Sequence, residues 1–105
     1  MTDDTTLDLV RAERRLREQL ARGERQLVEL ESTLDAMLRD HDTIQEDQDE
    51  MRVVVDAIRA DVRHTRRALQ RIADGAYGVC AGCGAGIHPD RLEAVPFADR
   101  CARCA

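Results

Sequence analysis

Two apolar heptad repeats, separated by one short polar stretch, restrict the possible folds of this chain more than any other feature. From Leu9 to Met37, Leu9, Leu16, Gly23, Leu30 and Met37 fall on d, while Leu20, Leu27 and Leu34 fall on a. A second register places Ile44, Met51, Ile58, Thr65 and Ile72 on d, with Val55, Val62 and Leu69 on a. Glu13, Gly23, Gln48 and Thr65 are the exceptions. Two seams of this kind require two packed helices, expected over about 7–39 and 44–74.

The connection between them, Arg39-Asp40-His41-Asp42-Thr43, is too short for anything but a reversal, so the helices must run antiparallel. Asp42 with Gln45 and Thr43 with Glu46 both match the capping-box spacing at a helix start. At 1.5 Å per residue the paired helices make a rod about 50 Å long. Counting back from the turn puts Gly23 near Ala60, where the missing side chain allows close approach or a slight bend. Gly75 stands where a helix-ending left-handed residue is wanted, and the Gly-rich segment 75–86 is expected to be non-helical.

Composition agrees with a rod rather than a globule. One Phe, one Tyr and no Trp cannot fill an ordinary core, and 35% charged with 43% apolar residues suits exposed helices joined by a narrow seam. The 16 basic residues, all Arg, face 21 acidic ones for a net charge of -5, which gives general phosphate-backbone binding no support. No apolar run approaches the roughly 18 residues of a membrane span. The start, Met1-Thr2-Asp3-Asp4, is acidic where a secretion signal is basic, so the expected location is the cytoplasm, with no membrane partner.

The second half of the problem is chemical. Cys80-Ala81-Gly82-Cys83 and Cys101-Ala102-Arg103-Cys104 form C-x2-C-x17-C-x2-C, in which two tight turns each present two thiolates to a tetrahedral Zn²⁺. Disulfides, a C-x-x-C redox pair and a four-thiolate iron centre use the same residues. A cytoplasmic setting disfavours the first, and the missing strand-helix unit disfavours the second. Redox-inert zinc is the commoner structural choice over iron. With four Cys ligands no coordination position is open, so the one zinc ion expected is structural rather than catalytic. The segment that carries it has few large apolar residues, and metal binding must supply most of its folding energy. His41, His64 and His88 have no nucleophile-and-base spacing and are read as solvated or structural, with His88 between the cysteine pairs able to support a ligand or contact a partner.

Charge concentrates at the turn. Residues 35–50 hold Asp35, Asp40, Asp42, Glu46, Asp47, Asp49 and Glu50 against Arg39, a net of -6. Acidic residues favour the start of the second helix, which explains some of them. The rest fit either a solvated loop or the delivery of carboxylates to a cationic or metal-bearing site on a partner.

Taken together, Gly75-Ala-Tyr77-Gly78-Val-Cys80-Ala-Gly-Cys83-Gly84-Ala-Gly-Ile87, Arg91-Leu92-Glu93-Ala94-Val95-Pro96 and Cys101-Ala-Arg-Cys104 resemble the signature of the DksA/TraR zinc-finger family. The hairpin ahead of them resembles the coiled coil of the longer members in architecture. That resemblance implies a bacterial regulator that binds RNA polymerase through its secondary channel, bringing acidic tip residues to the catalytic Mg²⁺ without contacting DNA. Family members active on polymerase carry Asp-x-x-Asp-x-Ala at the tip. Measured back from Cys80, Asp40 matches the second Asp and Met37 the first, which leaves Asp40 and Asp42 as the tip residues expected to face the active site. The chain ends one residue after Cys104, where longer members continue into a helix that holds polymerase and the alarmone ppGpp, so the resemblance leaves ppGpp dependence open.

The expected molecule is therefore an all-α antiparallel coiled-coil hairpin over 1–74, with a tip at 40–43, followed by a four-cysteine zinc finger over 75–105. It is expected to be a monomer and not an enzyme. The alternative from a different class is a zinc-stabilised coiled-coil adaptor, or a competitor for the channel without effect on initiation. A zinc-ribbon nucleic-acid binder fits less well, because Arg91, Arg100 and Arg103 of the finger are balanced by Asp90, Glu93 and Asp99.

Overall fold

Asp8 begins the first helix by accepting a hydrogen bond on its side chain from the Arg11 amide at 3.0 Å, which satisfies one of the donors that a helix start leaves unpaired. The computed structural model describes residues 8–105. Leu7, expected in the first helix, and Met1-Thr2-Asp3-Asp4 lie outside them. Helix α1 runs Leu9–Arg39, α2 runs Gln45–Ala73, and a short α3 covers Pro89–Ala94. Among the described residues the remaining regular pairing is an isolated antiparallel bridge between Val79 and Gly86. The fold is all-α: a long antiparallel hairpin with a small four-cysteine module at its open end, 62 × 27 × 20 Å along its principal axes.

At the turn the structure departs from the expected capping. The residue before α2 is Ile44, which has no side-chain acceptor, and neither Asp42 nor Thr43 caps the helix. Asp40 organises the turn instead. Its carboxylate accepts from the Asp42 amide at 2.9 Å and its carbonyl from the Thr43 amide at 3.2 Å, which fixes the chain two residues before α2 begins. Glu46 and Asp47 in the first turn of α2 supply the negative charge favoured there.

Contacts at two levels set the register. Gln48 Nε2 donates to the Met37 carbonyl at 3.2 Å near the tip, and Gly23 faces Val62 further down. Met37 to Gly23 and Gln48 to Val62 are both two heptads, so the seams run in step. Gly23 thus meets Val62 rather than Ala60, because the five-residue turn shifts the pairing by two positions. Glu24 with Arg66 and Glu31 with Arg59 form ion pairs across the helices beside the seam. Both pairs are solvent-exposed, so water screens them and they add little to the seam.

Two helices alone cannot enclose a seam. Leu20, Leu27, Leu30, Leu34, Met37, Met51 and Ile58 are half-buried, and Leu9 and Ile44 at the ends are exposed. Full burial occurs at Leu16, Val55, Val62, Thr65 and Ala68. Thr65 and Ala68 lie where Phe97 of the C-terminal module folds back on the hairpin. Complete burial of a side chain such as Leu16 stabilises by about 1.5–3 kcal/mol.

Helix α2 ends as Gly75 predicts. With φ of 74°, Gly75 donates to the Ile72 carbonyl at 3.1 Å, and Ala76 donates to the Arg71 carbonyl at 2.8 Å. This is the paired bonding of a Schellman ending, and the left-handed residue in it needs to lack a Cβ. The chain leaves α2 and turns back along the hairpin.

Candidate metal centre and acidic tip

Each cysteine pair sits on a tight turn built by backbone hydrogen bonds. In the first, the Cys80 amide donates to Ala85 at 2.7 Å, Ile87 donates to Gly78 at 2.8 Å, and Gly84, with φ of 79°, donates back to Cys80 at 2.9 Å. In the second, Cys104 and Ala105 both donate to the Cys101 carbonyl at 3.0 Å. The Ala81 amide reaches the Asp99 carbonyl at 2.8 Å and ties one turn to the other. Residues far apart in sequence thereby converge.

The four Sγ atoms lie within 4.8 Å of one another, and those of Cys83 and Cys101 are 3.7 Å apart. A tetrahedron with Zn–S bonds of 2.3 Å has edges of about 3.8 Å, so the Cys83–Cys101 separation already matches one edge and the cluster is of a size to take one zinc ion. Gly82 completes the fit. A Cβ there would lie 3.1 Å from Cys104 Sγ, so the first turn approaches the second sulfur pair only because residue 82 has no side chain.

The electrostatics match the donor set. The Cys80 thiol is held down at about 6 by backbone amide hydrogen bonds, that of Cys101 foremost, then those of Cys83 and Gly82. The last of these measures 3.3 Å from nitrogen to sulfur. Amides of Arg103 and Cys104 lower Cys101 in the same way. Cys104 is pushed up to about 12, since its neighbours' sulfurs, Cys101 first, hold its hydrogen. Amide donors that favour thiolate are what a metal-binding sulfur turn requires.

A small apolar cluster supports the turns: Cys80, Ile87, Leu92 and Ala98 are buried, with Tyr77 and Val95 against them. Helix α3, which periodicity did not reveal, supplies Leu92 from a single six-residue segment started by Pro89. His88 caps it, its Nδ1 accepting from the Asp90 amide at 3.0 Å. His64 stands 5.2 Å, ring to ring, from Phe97, and His41 is exposed at the tip. The three histidines are separate, and two of them have structural roles.

The module is fastened to the hairpin by side chains that no motif marks. Arg15 of α1 donates to the Glu93 carboxylate at 3.0 Å and to its carbonyl at 3.2 Å, and Arg71 of α2 donates to the Ala76 and Val79 carbonyls. Within the module itself, the signature residue Tyr77 donates its phenol to the Pro96 carbonyl at 2.7 Å. Arg15 and Arg71 find these carbonyls and the Glu93 carboxylate by tertiary placement, so nothing in their local sequence signals the contacts.

With this geometry in view, a family model for the prokaryotic dksA/traR C4-type zinc finger matches residues 75–105. The finger is thus of the dksA/traR C4 type. A structural zinc ion is the cofactor of such a C4 module, and the sulfur cluster of this one fits it. The chain is 40% identical over 70 residues to general stress protein 16O of Bacillus subtilis, a match covering 67% of this chain and 43% of that protein. It is 44% identical over 46 residues to an uncharacterized protein of Aquifex aeolicus, covering 44% of this chain and 32% of that one. The matched stretch is under half the length of either relative. The structure of transcription factor DksA2 from Pseudomonas aeruginosa shares the fold, with a TM-score of 0.82 at 20% identity over 99% of this chain and 87% of that chain. The DksA-type architecture therefore includes the hairpin as well as the finger.

At the other end of the rod, Asp40 and Asp42 are exposed on the turn between α1 and α2. Met37, at the position of the first Asp in the family's tip pattern, is half-buried in the seam with its carbonyl capped by Gln48. Among the described residues no helix is long and apolar enough to cross a membrane.

Proposed function

We propose that this chain is a non-enzymatic bacterial transcription regulator that binds RNA polymerase directly and enters its secondary channel tip first. Cys80, Cys83, Cys101 and Cys104 each give one sulfur to a structural zinc that holds the finger at the base of the rod. Asp40 and Asp42 are carried toward the polymerase active site, where carboxylates near the catalytic metal alter initiation. The protein acts in the cytoplasm as a monomer and touches no DNA.

One observation carries this reading: two exposed carboxylates sit on a braced turn at the far end of a narrow rod whose other end is a DksA/TraR finger. The bracing matters, since Asp40 holds the turn through its own carboxylate and Gln48 closes α1. A charge delivered on such a turn costs little further ordering on binding.

In-vitro transcription by the cognate polymerase tests the proposal, comparing wild type with Asp40→Asn/Asp42→Asn and with Cys80→Ser. Wild type should shift initiation, the tip variant should bind polymerase without that effect, and Cys80→Ser should bind weakly. The placement of Met37 in the seam favours a second reading, in which the tip lacks the first acid of the family pattern and the protein only occupies the channel. Wild type that binds but leaves initiation unchanged selects that competitor. Wild type that does not bind polymerase at all removes both and leaves an adaptor for another partner.

A further inference from the structure

Arg71 lies in the last turn of α2, outside the finger, yet its Nη2 donates to two finger carbonyls: that of Ala76 at 2.9 Å and that of Val79, the residue before Cys80. A second arginine repeats the arrangement. Arg91 Nε donates at 2.9 Å to the carbonyl of Arg100, the residue before Cys101. The peptide that enters each C-x-x-C turn is thus held by a guanidinium. The two grips differ in origin, because Arg91 belongs to α3 of the finger and Arg71 to the hairpin.

A held carbonyl fixes the plane of its peptide, and with it the direction of the next residue's N–H and side chain. For Cys80 that peptide is Val79–Cys80, whose N–H makes the 2.7 Å bond to Ala85. Cys80 is also the buried member of the four, 2% exposed, so its sulfur has the least freedom to adjust if the turn shifts. Groups that orient a metal ligand without touching the metal typically change affinity 10–100-fold when removed.

We propose that Arg71 is a positioning residue for the metal centre, which sets the Cys80 turn from the hairpin and couples zinc occupancy to the end of α2. The proposal rests on the zinc reading of the four cysteines. Coupling of this kind is reciprocal: if the grip holds zinc in the finger, zinc in the finger holds the last turns of α2.

Zinc release to a chromophoric chelator, followed together with helicity on the full chain, tests it. Arg71→Met keeps the stem and the helix propensity but removes the donors. It should release zinc about 10-fold faster or more, with the hairpin still helical, and zinc should raise its melting temperature less than that of wild type. Arg71→Lys, which restores a cationic donor, should recover part of the difference. Arg67→Met, one turn back on the same helix and without a finger carbonyl contact among the described residues, is the control. Release from Arg71→Met at the wild-type rate, or equal release from both Met variants, overturns the proposal. A wild-type chain without stoichiometric zinc overturns the zinc reading itself, and this is seen before any variant is compared.

Discussion

Gly23 faces Val62 so closely that a Cβ on residue 23 would lie 3.0 Å from Val62 Cγ2. An ordinary helix interior gains about 1 kcal/mol when Gly becomes Ala. Here the gain is opposed, because Val62 is 4% exposed and its branched side chain has one strongly preferred rotamer in a helix. Overpacking of this kind costs about 1–3 kcal/mol. Gly23→Ala should therefore be neutral to destabilising by about 2 kcal/mol, and in a Val62→Ala background it should stabilise by about 1 kcal/mol. Urea unfolding of the four proteins in the cycle checks this. Equal effects of Gly23→Ala in both backgrounds would remove the close approach as the reason for the glycine.

Thr65 is 3% exposed in the seam, with its hydroxyl donating to the Asp61 carbonyl at 2.8 Å. That carbonyl is also the acceptor for the next helical turn, so the hydroxyl adds a weak bond while burying a polar group. Thr65→Val should be neutral or stabilising by up to about 1 kcal/mol, and Thr65→Ser should destabilise by about 1 kcal/mol through the lost methyl. A marked loss of stability in Thr65→Val would show that the hydroxyl has a further partner.

Tyr77 is the chain's one tyrosine, there is no tryptophan, and its phenol is held by Pro96 inside the finger. Its emission therefore reports on the finger alone. Metal removal should change it strongly while the far-ultraviolet helical signal stays largely intact, because α1 and α2 bury their seam on each other. A collapse of helicity on chelation would mean that the hairpin does not stand without the finger.

The sulfur chemistry sets the direction of the pH response. Folding lowers the Cys80 thiol from 9.0 to about 6. Its stabilising contribution is therefore fully present above pH 9.0 and is lost as the pH falls through about 6. Zinc binding draws the thiols further toward thiolate, so zinc should be half-released below pH 6 rather than in the ordinary thiol range. Uptake at neutral pH should free about four protons, because the thiols of the zinc-free, unfolded finger are protonated there. Chelator-monitored acid titration and proton release in weak buffer measure the two quantities. Half-release near pH 8 would contradict the amide stabilisation.

Gly82→Ala should weaken zinc retention without altering the hairpin, since its Cβ would meet Cys104 Sγ at 3.1 Å and Cys104 Cβ at 3.2 Å. Gly86→Ala on the same loop meets nothing within 4 Å and is the matched control. Equal zinc release from the two variants would show that the sulfur pairs tolerate the added methyl.

Several parts of this protein are determined by the sequence alone. The heptads specify two helices because a 3.5-residue apolar period buries a stripe only on another helix, and the short turn makes the pair antiparallel. Gly75 ends α2 because the left-handed conformation excludes most side chains, and the cysteine spacing defines the C4 site because each C-x-x-C can close a turn by itself. These are local properties, and they survive any change of surroundings. The pairing of Gly23 with Val62, the capping of Met37 by Gln48, and the grip of Arg71 and Arg15 on the finger required the tertiary structure. So did α3, whose six residues are shorter than the helical period needs to show itself. A polar side chain can satisfy any carbonyl within reach, and only the packed register of the hairpin and the folding back of the finger decide which carbonyl that is.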